Sequence, residues 1–150
     1  MSTFYSDLKE GQKTENIIYY LLKKNNHNIQ KNTSNDYQTL KEYDLILNNS
    51  IKIEVKYDKM ASITGNLALE YNCSNKLSGI LSTKSQIWVY RIKNQLLFFN
   101  TKDLKHAFNS KQYFRTVNGG DSNRAKLALF KLNEIKQYAK RIIDIPKVLL

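Results

Sequence analysis

The chain has 150 residues, a length that fits one domain and is sufficient to bury a substantial core. Lys and Arg number 24 against 13 Asp and Glu, so the formal net charge is +11. No run approaches the roughly 18 apolar residues of a membrane span, and the single cysteine, Cys73, excludes an internal disulfide and a cysteine-based zinc site. We therefore expect one domain over residues 1–150.

The first residues lack the charged segment and following apolar segment of a signal peptide. We therefore expect an intracellular protein that is not secreted, working in the cytoplasm, on the nucleoid or in the cytoplasm of a virus-infected host. The positive charge has two interpretations, a solvated lysine-rich surface or a polyanionic partner. Charge by itself does not separate DNA, RNA and an anionic membrane.

The first predicted element is a helix that has Ser6 as its cap and runs to about Lys24. One stripe of this helix, spaced 3-4-3-4, consists of Leu8, Gly11, Glu15, Ile18 and Leu22. Glu15 therefore lies in the apolar seam that faces the rest of the protein, where a carboxylate is rarely buried without a partner. The partner is either a nearby lysine or a group of further acids to which Glu15 belongs.

Residues 42–58 are predicted to form a β-hairpin, since both arms alternate with period two around an Asn-rich middle. A three-residue loop over residues 48–50 keeps the apolar positions of both arms on one face. It pairs Leu47 with Ile51, Leu45 with Ile53 and Tyr43 with Val55. It also sets Asp44 opposite Glu54, with Cβ atoms about 5 Å apart.

Two carboxylates that close repel each other by about 4 kcal/mol at about 4 Å and an effective dielectric near 20. A positive group should therefore lie between Asp44 and Glu54. One candidate is Lys56, which is two residues along the same face of the strand. The other is a divalent cation, for which carboxylate oxygens are natural ligands.

The rest of the chain is predicted from similar local patterns. Residues 34–38 and 72–83 read as loops, and residues 67–71 as a strand. Glu70, on the polar face of that strand, either joins the acidic cluster or faces solvent, and we expect the latter. Residues 86–92 and 96–99 read as a hairpin with Trp88 in the core. Helices are expected after residue 99 and over residues 132–141.

Residues 118–123, which contain two glycines, read as a loop flanked by Arg115, Arg124 and Lys126. A glycine-rich loop with cations beside it can hold phosphates, but the GK[ST] ending of a nucleotide-binding loop is missing. The loop is interpreted as one that contacts nucleic acid or is merely mobile.

The order of these acids resembles the PD-(D/E)xK nuclease superfamily, whose small members include archaeal-type Holliday junction resolvases. Asp44 matches the first acid of the motif, Glu54 the second and Lys56 the lysine, while Glu15 matches the glutamate that many members carry on the first helix. Tyr43 stands where the motif usually has proline. Further similarity to small phage and bacterial members involves Gly65, Glu70, Gly79, Lys84 and Trp88, so the resemblance covers about residues 6 to 92.

The resemblance implies an α/β (α+β) fold with a restriction-endonuclease-like core, in which helices flank a central mixed β-sheet in α-β-β-β-(α)-β order. It implies a DNA endonuclease that uses Mg²⁺, with Mn²⁺ able to substitute. Asp44, Glu54, the Val55 carbonyl and Glu15 would hold the metal, and Lys56 would act on the attacking water or the phosphate. Cations expected to contact DNA are Lys59, Lys76, Lys84, Arg115, Arg124 and Lys126.

Three functions stay open at this stage. The first is a structure-selective or nicking endonuclease, similar to a Holliday junction resolvase and working as a homodimer. The second is a site-specific endonuclease of the restriction or homing type. The third is a basic nucleic-acid-binding protein without catalysis, in which the acids form a structural ion-pair network. The apolar C-terminal residues 142–150 either supply a dimer interface or cap the core.

Overall fold

The computed structural model describes residues 3–150 and contains five α-helices and ten β-strands within that range. The helices are α1 (Thr3–Lys24), α2 (Tyr37–Glu42), α3 (Ala61–Thr64), α4 (Thr101–Asn109) and α5 (Leu132–Ile135). The strands are β1 (Ile29–Lys31), β2 (Leu45–Leu47), β3 (Ile51–Tyr57), β4 (Asn66–Cys73), β5 (Lys76–Leu77), β6 (Ile87–Ile92), β7 (Gln95–Asn100), β8 (Arg115–Gly119), β9 (Ala125–Lys131) and β10 (Arg141–Asp144).

Six strands form a central mixed sheet in the order β1-β2-β3-β6-β7-β10. Its pairs are antiparallel except β3 with β6, which is parallel. A parallel pair cannot be joined by a tight turn. The chain therefore leaves β3, builds α3, β4 and β5, and then returns as β6.

The remaining four strands form a second, antiparallel sheet in the order β5-β4-β9-β8. This sheet was not expected from the sequence. It packs on the central sheet through Leu67 and Leu69 of β4, which share a buried cluster with Trp88 and Tyr90 of β6.

Alternate residues of β6 enter two different hydrophobic clusters, which shows how the layers are stacked. Trp88 and Tyr90 pack toward the second sheet and α4, whereas Val89 packs with Ile18 of α1 and Ile53 of β3. The central sheet therefore lies between α1 on one face and the second sheet with α4 on the other. This confirms the expectation of a mixed central sheet flanked by helices.

The predicted register of the 42–58 hairpin is confirmed where β2 and β3 pair. Leu45 lies opposite Ile53 and Leu47 opposite Ile51. The three-residue loop is also present, since Asn48 (φ 55°) adopts the left-handed conformation that such a loop needs.

The first arm of this hairpin is shorter than expected. Tyr43 does not pair with Val55 but ends α2, and β2 begins only at Leu45. The cause is local helix chemistry, because the carboxylate of Asp36 accepts a hydrogen bond from the Thr39 N–H at 3.0 Å and caps α2. Part of the predicted 34–38 loop is therefore the start of a helix.

Three other boundaries were wrong. The helix α1 begins at Thr3, so Ser6 lies inside it rather than capping it. Within the segment predicted as a loop, residues 76–77 form β5. The cations beside the 118–123 loop lie on or next to the hairpin β8–β9, and its strand β9 pairs with β4, a partner distant in the sequence.

The predicted helix over residues 132–141 is also wrong beyond its first turn. The helix α5 ends at Ile135, and Arg141–Asp144 form β10 on the edge of the central sheet. Ile145 is then buried with α1 and β7, whereas Val148 is 90% exposed. The C-terminal end thus caps the core through Ile145 and leaves apolar surface beyond it. Among residues 3–150, no helix has both the length and the apolar character needed to cross a membrane.

Two glycines are expected to respond to alanine in opposite directions. A Cβ added at Gly11 in α1 meets no described atom within 4 Å, so Gly11→Ala should raise the free energy of unfolding by about 0.5–1 kcal/mol through helix propensity. Gly79 has φ +52°, and its Cβ would lie 2.1 Å from the Glu70 carbonyl oxygen. Gly79→Ala should therefore lower the free energy of unfolding by about 2 kcal/mol or more.

Urea denaturation of the two variants and the parent checks this pair. If Gly79→Ala is as stable as the parent, the turn at Gly79 does not pack on β4 as described.

Candidate active site

Asp44 lies where β2 separates from β3. Its N–H donates to the Ile53 carbonyl at 2.9 Å, and its carboxylate Oδ2 accepts a hydrogen bond from the Val55 N–H at 2.7 Å. If the β2–β3 ladder continued, the Val55 N–H would bond to a backbone carbonyl of the neighbouring strand. The carboxylate takes the place of that carbonyl and is thereby held against the middle of β3. Since the N–H and C=O of one strand residue point to the same side, the Val55 carbonyl faces the same gap.

Glu54 and Lys56 lie on the face of β3 that is turned toward the second sheet. Their neighbours across the parallel pair are Trp88 and Tyr90. The Lys56 ammonium lies 2.9 Å from Glu54 Oε1 and 5.5 Å from the centre of the Trp88 ring. The predicted positive partner of Glu54 is therefore present within the chain.

Glu15 reaches the same place from α1. It is half-buried next to the fully buried Ile18, and its carboxyl group shares a hydrogen bond with that of Asp44. Lys31 of β1 also acts on its charge. Of the two partners expected for a carboxylate in this stripe, the further acid is thus found, whereas the Lys31 ammonium donates to the Asn16 side chain and forms no ion pair with Glu15 among the described residues.

The charges in this cluster are not balanced. Desolvation by burial, and after it the charge of Asp44, raises the pKa of Glu15 from 4.5 to about 7. Desolvation and then the charge of Glu54 raise the pKa of Asp44 from 3.8 to about 6. Desolvation acts to lower the pKa of Lys56, but the carboxylates of Glu54, Asp44 and Glu70 outweigh it and the pKa lies above its ordinary value. One ammonium thus faces several carboxylates.

The donor set fits a divalent cation by its chemistry. Carboxylate oxygens of Asp44, Glu54 and Glu15 are the hard ligands that Mg²⁺ prefers. Within residues 3–150, no group of three or more His, Cys, Asp or Glu side chains is already closed around a metal position. The raised pKa values of Glu15 and Asp44 nevertheless reflect desolvation and repulsion that a bound cation would oppose.

A cleft of about 560 Å³, here called the first cleft, opens over Glu54 and Lys56. Its walls also carry Lys41, Lys84 and the hydroxyl groups of Ser78, Ser82 and Thr83. Lysine ammonium groups and hydroxyl groups are the usual partners of phosphodiester oxygens. The first cleft can therefore accommodate a nucleic-acid backbone with one phosphate beside Lys56.

A second cleft of about 630 Å³ adjoins the first and shares Lys56, Glu70 and Trp88 with it. One wall is the N-terminal half of α1 with the end of β3, and the other is the face of the second sheet that is turned away from the core. Lys56 therefore stands at the junction of the two clefts.

The six cations expected to contact DNA are distributed unevenly. Lys84 lines the first cleft, while Lys59 and Arg115 line the second, where Lys59 pairs with Asp7 at 2.7 Å. The other three are exposed and, in the part of the chain that the structure describes, are not among the residues lining either cleft: Lys76, Arg124 and Lys126.

The expectation that Glu70 faces solvent is wrong. Its side chain is half-buried, lines both clefts and acts on the charge of Lys56. The alternation of β4 correctly places Glu70 opposite the buried Leu67 and Leu69. The second sheet, however, is set so that this outer face forms a cleft wall.

Sequence reasoning also missed Lys41 and Ser78 as cleft residues. Lys41 reaches the site because α2 replaces the expected loop. Ser78 reaches it because the left-handed Gly79 turn packs against the backbone of Glu70. The Ser-Gly pair was the one local signal of a turn at that position.

Comparison of the chain with protein-family models, with curated proteins and with solved structures finds no match in any of the three. The chemistry of the site therefore has to be argued from its own residues.

The imbalance of charge in this cluster should lower the free energy of unfolding of the metal-free protein more at high pH than at low pH. Because the folded-state pKa of Glu15 is raised from 4.5 to about 7, its contribution is fully present below pH 4.5 and is lost as the pH rises through 7. Glu15→Gln should remove that loss. The variant should be more stable than the parent at pH 8 by about 1–2 kcal/mol, after allowance for solvent screening, and nearly equal to it at pH 4.5.

Urea denaturation in EDTA at both pH values measures the difference. Glu134→Gln, which changes an exposed glutamate on α5, serves as the matched control and should show no such pH dependence. Equal stability of Glu15→Gln and the parent at pH 8 would contradict the description of the cluster.

Proposed function

We propose that this chain is a metal-dependent DNA endonuclease that hydrolyses phosphodiester bonds, and that it is a small member of the PD-(D/E)xK superfamily with Mg²⁺ or Mn²⁺ as cofactor. The observation that carries the proposal is the convergence of Glu15, Asp44, Glu54 and Lys56, from α1, the start of β2 and β3, into one charged cluster. In this cluster Glu54 lines the first cleft and Lys56 lines both clefts. The net charge of +11 supports a polyanionic substrate.

The role of Lys56 follows from its protonation. Its pKa lies above the ordinary value, so the side chain is an ammonium at neutral pH and cannot take a proton from water. It can instead donate hydrogen bonds to a non-bridging phosphate oxygen and stabilise the charge that develops on the pentacovalent phosphorus. The 2.9 Å pair with Glu54 holds the ammonium in place for this task.

The carboxylates of the site would bind the metal ion. Asp44 and Glu54, with the Val55 carbonyl and Glu15 beside them, would hold the cation. A bound Mg²⁺ lowers the pKa of water and neutralises charge on the phosphate. Asp44 is kept in its orientation by the Val55 N–H.

The first cleft would bind the DNA backbone. Lys41 and Lys84 line this cleft and would neutralise phosphates near the one at Lys56, and Ser82 and Thr83 can donate hydrogen bonds to them. Such contacts position DNA without reading its sequence. This favours a structure-selective or nicking enzyme over a site-specific one.

A homodimer is part of the proposal, because two sites related by two-fold symmetry can act on two strands. The surface suggested for it lies at the C-terminal end, where Ile142 is 45% and Val148 90% exposed.

One observation favours a second function, a basic nucleic-acid-binding protein without catalysis. Glu54 already has its positive partner in Lys56 at 2.9 Å, and the described residues contain no preformed metal cage. On this reading the acids are a structural network. The two functions differ in metal-dependent cleavage.

Cleavage should require the site residues and the metal. With Mg²⁺ or Mn²⁺, the parent should cut at least one of four-way junction, flap, single-stranded, linear duplex and supercoiled DNA, and EDTA should stop it. Asp44→Asn and Lys56→Met should each lower the rate by about a hundredfold or more, since each removes charge stabilisation of the transition state. Gel assays under single-turnover conditions measure the rates.

Lys102→Met is the matched control, because Lys102 is an exposed lysine of α4 and is not among the described residues that line either cleft. It should cut at the parent's rate, and all variants should retain salt-sensitive DNA binding. Lys56→Met that cuts as fast as the parent would refute the assignment of Lys56, and salt-sensitive binding without any cleavage would favour the binding protein.

The metal should also be detectable without activity. At pH 8 in the absence of DNA, Mg²⁺ in excess should raise the thermal midpoint of the parent, because it binds the folded state and offsets the repulsion around Asp44. Asp44→Asn should lose most of that rise, whereas Glu134→Gln should keep it. A midpoint that does not respond to Mg²⁺ or Mn²⁺ would exclude a metal site in the free protein.

A further inference from the structure

We propose that the second cleft holds the base of an unpaired nucleotide next to the scissile phosphate, so that the protein prefers DNA that is single-stranded or distorted at the cut. This inference rests on the proposed function and adds the class of substrate to it. It is carried by five features of the second cleft.

The first feature is an apolar wall outside the core. Leu127 and Leu129 of β9 are half-buried and line the cleft with Ala68 of β4. On the opposite side lie Tyr57 and Met60, and Met60 is 57% exposed. A concave apolar wall with a few polar groups is typical of a site for an organic ligand, and the volume of the cleft falls within the usual range of about 300–1,000 Å³.

The second feature is that two acidic groups of the cleft, those of Asp7 and Asp58, are already paired, whereas the third, Glu70, belongs to the part that the first cleft shares with Lys56. Asp7 binds Lys59 at 2.7 Å, and the Asp58 carboxylate accepts hydrogen bonds from the N–H groups of Ala61 and Ala68, both at 3.0 Å. The interior thus suits an uncharged, flat group such as a nucleobase. In this proposal the phosphates of the DNA contact the first cleft and the exposed Arg115.

The third feature is a polar atom without a partner. The side-chain Oδ1 of Asn66, a residue that lines the cleft, is buried and has no hydrogen-bond partner in the described structure. Buried polar atoms are nearly always satisfied in folded proteins. The atom is covered in the free protein, so an amino group on the edge of an unpaired base would satisfy it only after the Asn66 amide rotates toward the cleft.

The fourth feature is Gly11, which lies on the cleft wall in the interior of α1. A Cβ at this position would meet no described atom within 4 Å, so internal packing does not require a glycine there. Its effect is to keep the helix wall open where a ligand would approach the backbone.

The fifth feature is continuity with the site. Lys56 lines both clefts, so a nucleotide whose base occupies the second cleft can present its phosphate to Lys56. A base inside a duplex is stacked and paired, and it can enter such a cleft only after it is extruded. An unpaired base avoids that cost.

Binding in EDTA tests this inference without relying on catalysis. Fluorescence anisotropy would compare a fully paired duplex with the same duplex carrying a short flap or an unpaired bulge. The parent should bind the unpaired forms about tenfold more tightly, the size expected when one base stacks in a cleft. Gly11→Phe, which fills the cleft from the helix wall, should bind both forms with the parent's affinity for the paired duplex.

Gln12→Phe is the matched control and should keep the preference, because it puts the same side chain on an exposed neighbouring residue of α1 that is not among those lining the cleft. Ala68→Leu fills the cleft from the sheet wall and should lose the preference as Gly11→Phe does, and circular dichroism checks that each variant is folded. If either folded filling variant keeps the preference, or if the parent shows none, the inference is overturned. Preference in binding without any metal-dependent cleavage would retain this inference and refute only the nuclease.

Discussion

The repulsion among carboxylates at the point where β2 leaves β3 is the constraint on which the rest of the site depends. Asp44 is fixed there because its carboxylate takes the Val55 N–H that a backbone carbonyl would otherwise bind. Lys56 forms an ion pair with Glu54 at 2.9 Å. The pKa of Glu15 is nevertheless raised to about 7 and that of Asp44 to about 6. A partly buried cluster of carboxylates lowers the free energy of unfolding unless a further positive group is present.

The architecture explains why Glu54 and Lys56 lie at a cleft and not in the hydrophobic core. Ile53 and Val55 of β3 face α1, whereas Glu54 and Lys56 face the side of Trp88 and the second sheet. The second sheet covers Trp88 but stops short of Lys56, so the charged side chains line open space. Two clefts therefore meet at one ammonium group, that of Lys56.

The two clefts have different chemistry, and the difference suggests how a single small chain could both bind DNA and choose among its forms. Lysine and hydroxyl groups dominate the first cleft outside the Glu54–Lys56 pair. Leu127, Leu129 and Met60 give the second an apolar character. Backbone contacts supply affinity without selectivity. Selectivity has to come from a group that only some DNA structures expose, and an unpaired base is such a group.

The local sequence determined the hairpin register and the candidate residues. The alternation of residues 42–58 demanded an odd-length loop, and the pairing of Leu45 with Ile53 is the one it required. The apolar stripe of the predicted helix correctly indicated that Glu15 faces the acids of the hairpin, Asp44 and Glu54. These predictions succeeded because each depends on residues close in sequence, where side-chain direction follows from the period of the strand or helix.

Tertiary packing decided the rest. The strand β10 and the hairpin β8–β9 were missed or misread, since short segments become strands only when a distant partner such as β4 or β7 satisfies their backbone. The position of Glu70 illustrates the same limit. Its alternation shows that it faces away from Leu67 and Leu69, but only the placement of the second sheet beside β3 turns that outer face into a wall of the site.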